Sequence, residues 1–221
     1  MIMTYHLQPF IEKLTRDIVW KITQNEYGPR EQLPSIEEMA KQYGVARSTI
    51  REALKHLQSC GLIYSQHGKG TFLLNFKVSE HGGNVILEEI LDLRRMLEIH
   101  AMKKAVQTRT DQDIARLQQL LNEMEQCITS PVRFTDTDRQ FHISIAEASK
   151  NPFLPSMYHN ISGLFAGLQD AIFQVKGSPE KALYEHQVML RALVGRDESL
   201  ALDVMNNHLD SIVKQIRERR V

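Results

Sequence analysis

Cysteine is almost absent: Cys60 and Cys127 are the only two in 221 residues. Two isolated cysteines build neither a disulfide framework nor a Cys-x-x-Cys metal knuckle. Net charge is absent as well. The 27 Lys and Arg residues balance the 27 Asp and Glu residues, so bulk electrostatics selects no partner. No stretch approaches the roughly 18 unbroken apolar residues of a membrane span, and the N-terminus lacks the basic-then-apolar order of a secretory signal. These absences point away from a disulfide-stapled secreted protein and a membrane protein, and the expectation is a soluble, cytoplasmic, reduced chain. What is present is ordinary globular material, 42% apolar and 24% charged, enough for one large domain or two small ones.

Charge is unevenly placed. Between residues 39 and 75 the basic residues are Lys41, Arg47, Arg51, Lys55 and Lys69, against the single acid Glu52. That is a local positive surface on a neutral chain, suited to a small nucleic-acid footprint. Phe10, Ile11, Leu14, Ile18 and Ile22 recur at helical spacing and predict a helix over 10–24, followed by a turn at Gly28-Pro29. Ser35 three residues before Glu38 is a capping-box signature for a short helix ending near Tyr43. Gly44 suits a tight turn. A third helix is expected over 47–60, with Ile50, Leu54 and Leu57 inward and Gly61 as its stop. The period then changes. Leu62–Gln66 and Thr71–Leu74 read as strands, and His67-Gly68-Lys69-Gly70 reads as the hairpin turn between them. Three helices and a hairpin form one unit over 1–75, with a linker over 76–84 around Gly82-Gly83. From 85 to 221 all segments read helical, over 85–107, 111–128, 134–149, 152–174, 179–194 and 198–219. Asp111, Ser178-Pro179 and Asp197 supply starts. The expected fold is therefore mainly α: a winged helix-turn-helix, then an all-α antiparallel bundle of about six helices.

Arg47, Arg51 and Lys55 are spaced i, i+4, i+8 and form one basic stripe beside the buried face of their helix, with Ser48 next to it. In a major groove such a helix presents Arg to guanine edges and Lys and Ser to phosphates. The other reading is a solvated charged face. The runs Leu33-Pro34-Ser35, Gly44-Val45-Ala46-Arg47-Ser48-Thr49-Ile50-Arg51-Glu52-Ala53-Leu54 and His67-Gly68-Lys69-Gly70-Thr71-Phe72 closely resemble the winged helix of the GntR family. The resemblance covers about 10–75. It implies a double-stranded DNA operator with palindromic half-sites, contacted by Arg47, Ser48, Thr49, Arg51 and Lys55, while a wing of His67, Gly68 and Lys69 approaches the minor groove. One departure stands out: family members commonly have arginine where this chain has Glu37, which places the usual operator sequence in doubt.

In the second half, Asp138 and His142 share a helix face at i, i+4. His186 lies on a stripe with Leu183, Leu190 and Leu193, and His208 lies between Val204 and Ile212. Each of these could be a separately satisfied core polar group. One divalent cation would satisfy all four together. The runs Asp92-Leu93-Arg94-Arg95-Met96-Leu97-Glu98, Asp138-Arg139-Gln140-Phe141-His142, Glu185-His186 and Met205-Asn206-Asn207-His208-Leu209 resemble the FCD ligand-binding domain of the FadR subfamily. The six-helix count is nearer its shorter VanR-like branch. This resemblance implies a divalent metal held by Asp138, His142, His186 and His208, with zinc first and nickel, iron or manganese also suited. It further implies a homodimer, repression as the commoner role, and a small carboxylate effector clamped by Arg94. Periodicity alone leaves Arg94 and Arg95 open, because each interrupts an apolar stripe, and Arg94 could simply pair with Glu98. Two rival readings are a regulator for which the metal is itself the signal and a metal-dependent hydrolase with Glu98 or Glu185 as base.

Overall fold

Ser35 opens a short helix as its capping box requires. Its hydroxyl accepts from the Glu38 N–H at 3.2 Å, and the Glu38 carboxylate accepts from the Ser35 N–H at 2.8 Å. Helix α1 (Ile36–Tyr43) stops at Gly44, whose φ of 67° is left-handed and costs a residue without Cβ little. Helix α2 (Arg47–Ser59) buries Ile50, Ala53, Leu54 and Leu57 on one face. Strands β1 (Ile63–Gln66) and β2 (Gly70–Leu73) pair antiparallel, with Ile63 opposite Leu73 and Gln66 opposite Gly70. Gly70 is therefore already in the ladder, one residue earlier than expected.

The hairpin has a further edge that the periodicity did not suggest. Gln32 bridges Phe72, the Leu33 N–H donates to Thr71 O at 2.9 Å, and the Leu73 N–H donates to Glu31 O at 2.9 Å. The computed structural model describes residues 26–59, 61–74, 85–162 and 177–218, together with 13–15, 17, 18, 21 and 175. Of the helix expected over 10–24, residues 13–15, 17, 18 and 21 are helical, with Leu14 and Ile18 buried; Phe10, Ile11 and Ile22 lie outside the described residues, as do Cys60 and the linker.

The chain divides into two compact units, Met1–Ile90 and Leu91–Val221. The helices that follow the hairpin are α3 (Val85–Thr108), α4 (Asp111–Gln126), α5 (Pro131–Ala148), a helical stretch over 153–162, α6 (Ser178–Gly195) and α7 (Glu198–Glu218). Residues 163–174, the rest of one expected helix, lie outside the described residues. Helix α4 starts from Thr110, not Asp111. The Thr110 hydroxyl accepts from the Asp113 N–H, and the Asp113 carboxylate accepts from the Thr110 N–H at 2.7 Å. Pro131 opens α5 three residues before the expected start, a position where its missing N–H costs nothing. Asp197 caps α7 as expected, accepting from the Leu200 N–H at 3.0 Å.

Helix α4 packs on α5 and α6, and α6 packs on α7. Leu117, Leu120, Phe141, Ile145, Met189, Leu193 and Met205 are essentially inaccessible between them. Two arginines tie α3 to α6. Arg109, just past α3, donates to the terminal carbonyls of α6 at Leu193 (3.0 Å) and Val194 (2.7 Å). Arg196, just past α6, donates to Val106 O (2.9 Å) and Gln107 O (2.7 Å) of α3 and to Arg109 O (3.3 Å). Each guanidinium satisfies the orphan carbonyls of the other helix and opposes the negative end of its dipole.

Candidate metal centre and nucleic-acid interface

Three helices of the second unit converge on one polar point. Helix α5 contributes Asp138 and His142 one turn apart, α6 contributes His186 and α7 contributes His208, all four buried. One donor atom from each lies within 4.8 Å of every other. His142 Nε2 and His186 Nε2 are 3.2 Å apart, and Asp138 Oδ1 lies 3.5 Å from the latter. Two carboxylates lie behind the imidazoles. Glu98 Oε2 sits 2.8 Å from His142 Nδ1, and Glu185 Oε2 sits 2.7 Å from His208 Nδ1. At His208 the Glu185 carboxylate holds an N–H on Nδ1 and turns the Nε2 lone pair inward, whereas Glu98 and His142 are close as an ion pair without hydrogen-bond alignment. The Nε2 of His208 is buried with no protein hydrogen-bond partner. The centre thus gathers three imidazoles and one carboxylate at a single point, a donor set that one cation could satisfy.

That donor set fits a first-row divalent ion. Bonds of about 2.0–2.2 Å require donors no more than about 4.4 Å apart, so a contraction of a few tenths of an ångström closes the ring. The electrostatics agree. Burial, then the neighbouring His208, His142 and Arg94, push the His186 imidazole well below its usual range, which keeps it neutral and able to ligate. Burial opposes ionisation of Glu98, yet Arg94 and His142 overcome it and hold the carboxyl far below the usual carboxylate range. The Tyr158 hydroxyl, pushed up by burial and by Glu98, joins the same network. One side is open: a cavity of about 50 Å³ reaches Asp138, Glu185 and His208, with Thr135, Lys181 and Ser211 at its wall.

In the first unit, Arg47, Ser48, Arg51 and Lys55 are exposed along α2, and His67, Gly68 and Lys69 are exposed at the tip of the hairpin. Gln32 fixes that tip by donating to Lys69 O at 2.8 Å. Tyr64 and Phe72 stack across the strands with centroids 5.6 Å apart. Arg47 pairs with Glu37 of α1, and Lys55 pairs with Glu52 at 2.7 Å. Thr49 differs from the other expected contact residues: it is 6% exposed, on the face that also buries Ala53 and Leu57.

The family model for the FCD domain matches residues 89–211, and that for bacterial regulatory proteins of the gntR family matches residues 10–73. The chain belongs to the FCD-bearing GntR family of bacterial transcription regulators. It is 27% identical to the HTH-type transcriptional regulator LutR of Bacillus subtilis, over 86% of this chain and 94% of that protein. It is 28% identical to the Uxu operon transcriptional regulator of Escherichia coli, over 93% and 84% respectively. The HTH-type transcriptional repressor NanR of Salmonella newport is 26% identical over 91% and 83%. In fold it resembles Escherichia coli McbR/YncC, with a TM-score of 0.67 at 20% identity over 97% of this chain and 99% of that one. These relatives are regulators and not enzymes, which sets the hydrolase reading aside. Glu98 and Glu185, its candidate bases, are engaged with His142 and His208.

Helix α3 carries two adjacent arginines with different partners. Arg94 is 1% exposed and its Nε donates to Glu98 at 2.5 Å. Burial works against its charge, but Glu98, Tyr158 and Asp138 outweigh it and raise its pKa. It does not line the cavity beside Asp138. Arg95 turns elsewhere, donating to Asn206 at 2.8 Å and pairing with Asp210. The cation at the cavity wall is Lys181, which the sequence reading missed; its ammonium donates to Ser211 at 2.7 Å and lies 3.8 Å from Glu185. Its signal was available, since Lys181 precedes Glu185 by one helical turn.

Proposed function

We propose that this regulator is a cytoplasmic homodimeric repressor whose grip on a palindromic operator is set by a small carboxylate bound beside a divalent ion. The DNA-binding unit ends near residue 75, a linker covers 76–84, and the sensing unit begins at 85. Helix α2 enters the major groove, where Arg47 and Arg51 meet bases and Ser48 and Lys55 meet phosphates. His67, Gly68 and Lys69 follow the minor groove. Asp138, His142, His186 and His208 hold the ion, zinc first among those the donors suit. When bound, the ion supplies a Lewis-acidic centre with a position for a carboxylate oxygen. Lys181 supplies positive charge at the cavity wall, while Arg94 keeps Glu98 ionised in the interior behind His142. The observation that carries this reading is the convergence of four buried donors, with Glu185 bonded behind His208 and Glu98 close behind His142.

The experiment is a metal analysis of the purified protein, then anisotropy titrations of operator DNA with a panel of small carboxylates, before and after chelation. One acid is expected to weaken operator binding about tenfold in the metal-loaded protein and not in the chelated one. A second reading, in which the ion is itself the signal, draws support from the small cavity: about 50 Å³ against the roughly 300–1,000 Å³ of ordinary ligand pockets. Under that reading chelation alone changes operator affinity and no acid has any effect.

A further inference from the structure

Helix α1 places one carboxylate on the surface that α2 offers to DNA. Glu38 is spent on the capping box, but Glu37 beside it reaches across to α2 and pairs with Arg47. The two side chains remain 72% and 60% exposed. They border a groove of about 340 Å³ that Gln32, Arg51, Gly70 and Thr71 also line, between the start of α1, the first turns of α2 and the hairpin. Arg47 is the first residue of α2, and the N-terminal residues of a recognition helix are those that meet base edges. An ion pair so exposed contributes little to stability. Held against a phosphate, the same carboxylate would be repelled. In the major groove a carboxylate has one good partner, the exocyclic N4 amine of cytosine, whereas arginine takes guanine.

We propose that Glu37 is a base-reading residue, selecting a cytosine at the operator position beneath it while its contact with Arg47 holds that guanidinium in register. The proposal rests on the reading of α2 as the DNA-reading helix. It makes the operator preference at one position a property of α1, outside the recognition helix.

The test is selection of random duplex DNA by the full-length wild-type protein and by Glu37→Ala and Glu37→Gln, followed by anisotropy on single-position variants at one fixed salt concentration. Glu37 caps nothing and is exposed, and matched thermal melts check that both variants fold. The wild type is expected to favour cytosine at one position of each half-site by on the order of tenfold. Glu37→Ala is expected to lose that preference with the other positions unchanged. Glu37→Gln is expected to move it towards adenine, whose N6 and N7 a carboxamide meets bidentately. Identical preferences from all three proteins overturn the proposal while leaving DNA reading by α2 intact. A uniform gain in affinity for every sequence on Glu37→Ala also overturns it, since Glu37 would then only mask Arg47. Enrichment of no sequence by any of the three overturns the DNA reading itself and this proposal with it.

Discussion

Glu185→Ala is the sharpest perturbation of the proposed centre, because it leaves all four donors in place. Glu185 is 9% exposed and its Oε2 accepts from His208 Nδ1 at 2.7 Å, a charge-assisted contact that fixes the ring and raises the basicity of Nε2. Loss of such a partner costs about 10- to 100-fold in metal affinity, which is about 1.4–2.7 kcal/mol at about 1.4 kcal/mol per decade. At a fixed metal concentration above both dissociation constants, mass action passes that whole difference into folding stability. For a chain of this size it lowers the melting temperature by roughly 3–11 °C. The assay is competition of the protein with a chromophoric chelator for zinc, with thermal melts of loaded and chelated protein alongside. The variant also loses a buried contact without metal, so the difference between loaded and chelated melts carries the prediction. A metal affinity within about twofold of wild type would refute the reasoning, for then His208 would not depend on Glu185 for its orientation.

Arg94→Ala strands the Glu98 carboxylate in the interior and is expected to destabilise the protein by about 3–5 kcal/mol in urea unfolding. The double variant Arg94→Met/Glu98→Met should recover much of that, since it leaves no unpaired charge. Gly70→Ala places a Cβ at φ 117° and 2.5 Å from Gln32 Nε2. The side-chain amide can move but the backbone strain remains, so a loss of about 1–2 kcal/mol is expected, with weakened operator binding by anisotropy. Asp113, whose ionised form Lys150 and Thr110 favour against burial, titrates below its ordinary value of 3.8. Its contribution is therefore complete above the unfolded pKa and is lost as pH falls through the folded one. Asp113→Asn should cost below about 1 kcal/mol at pH 7 after solvent screening and flatten the acid limb below about pH 4 in pH-dependent melts.

Local chemistry was readable in advance where it closes within a few residues. The Ser35–Glu38 box, the turn at Gly44 and the Asp197 cap all rest on neighbours within one turn and lie where the spacing put them, and the hairpin around Gly68 differs only in pairing from Gly70. The convergence of Asp138, His142, His186 and His208 was readable only in part, since periodicity places each on an apolar face but cannot aim three faces at one point. At Thr49 the motif suggested a contact, while its spacing with Ala53 and Leu57 at i, i+4, i+8 places it along the buried side. The edge formed by Glu31–Leu33 and the capping of α4 by Thr110 depended on pairing and geometry that short apolar patterns do not encode. Lys181 at the cavity wall and the division of labour between Arg94 and Arg95 are long-range outcomes, decided by α7 and its Ser211, Asn206 and Asp210.

The exchange of Arg109 and Arg196 between the ends of α3 and α6 acts as a fulcrum. Sliding one helix along the other strains all five guanidinium–carbonyl bonds at once, whereas a small tilt about that end preserves them. Of the two familiar kinds of helix motion, shear is therefore suppressed and pivoting is left open. Helix α3 has 24 residues and a length of about 36 Å, so a tilt of about 4° at the fulcrum carries its first turn through about 2.5 Å. Helix α3 is in that sense a lever, in which a small rotation at the arginine end becomes the largest displacement at its opposite end.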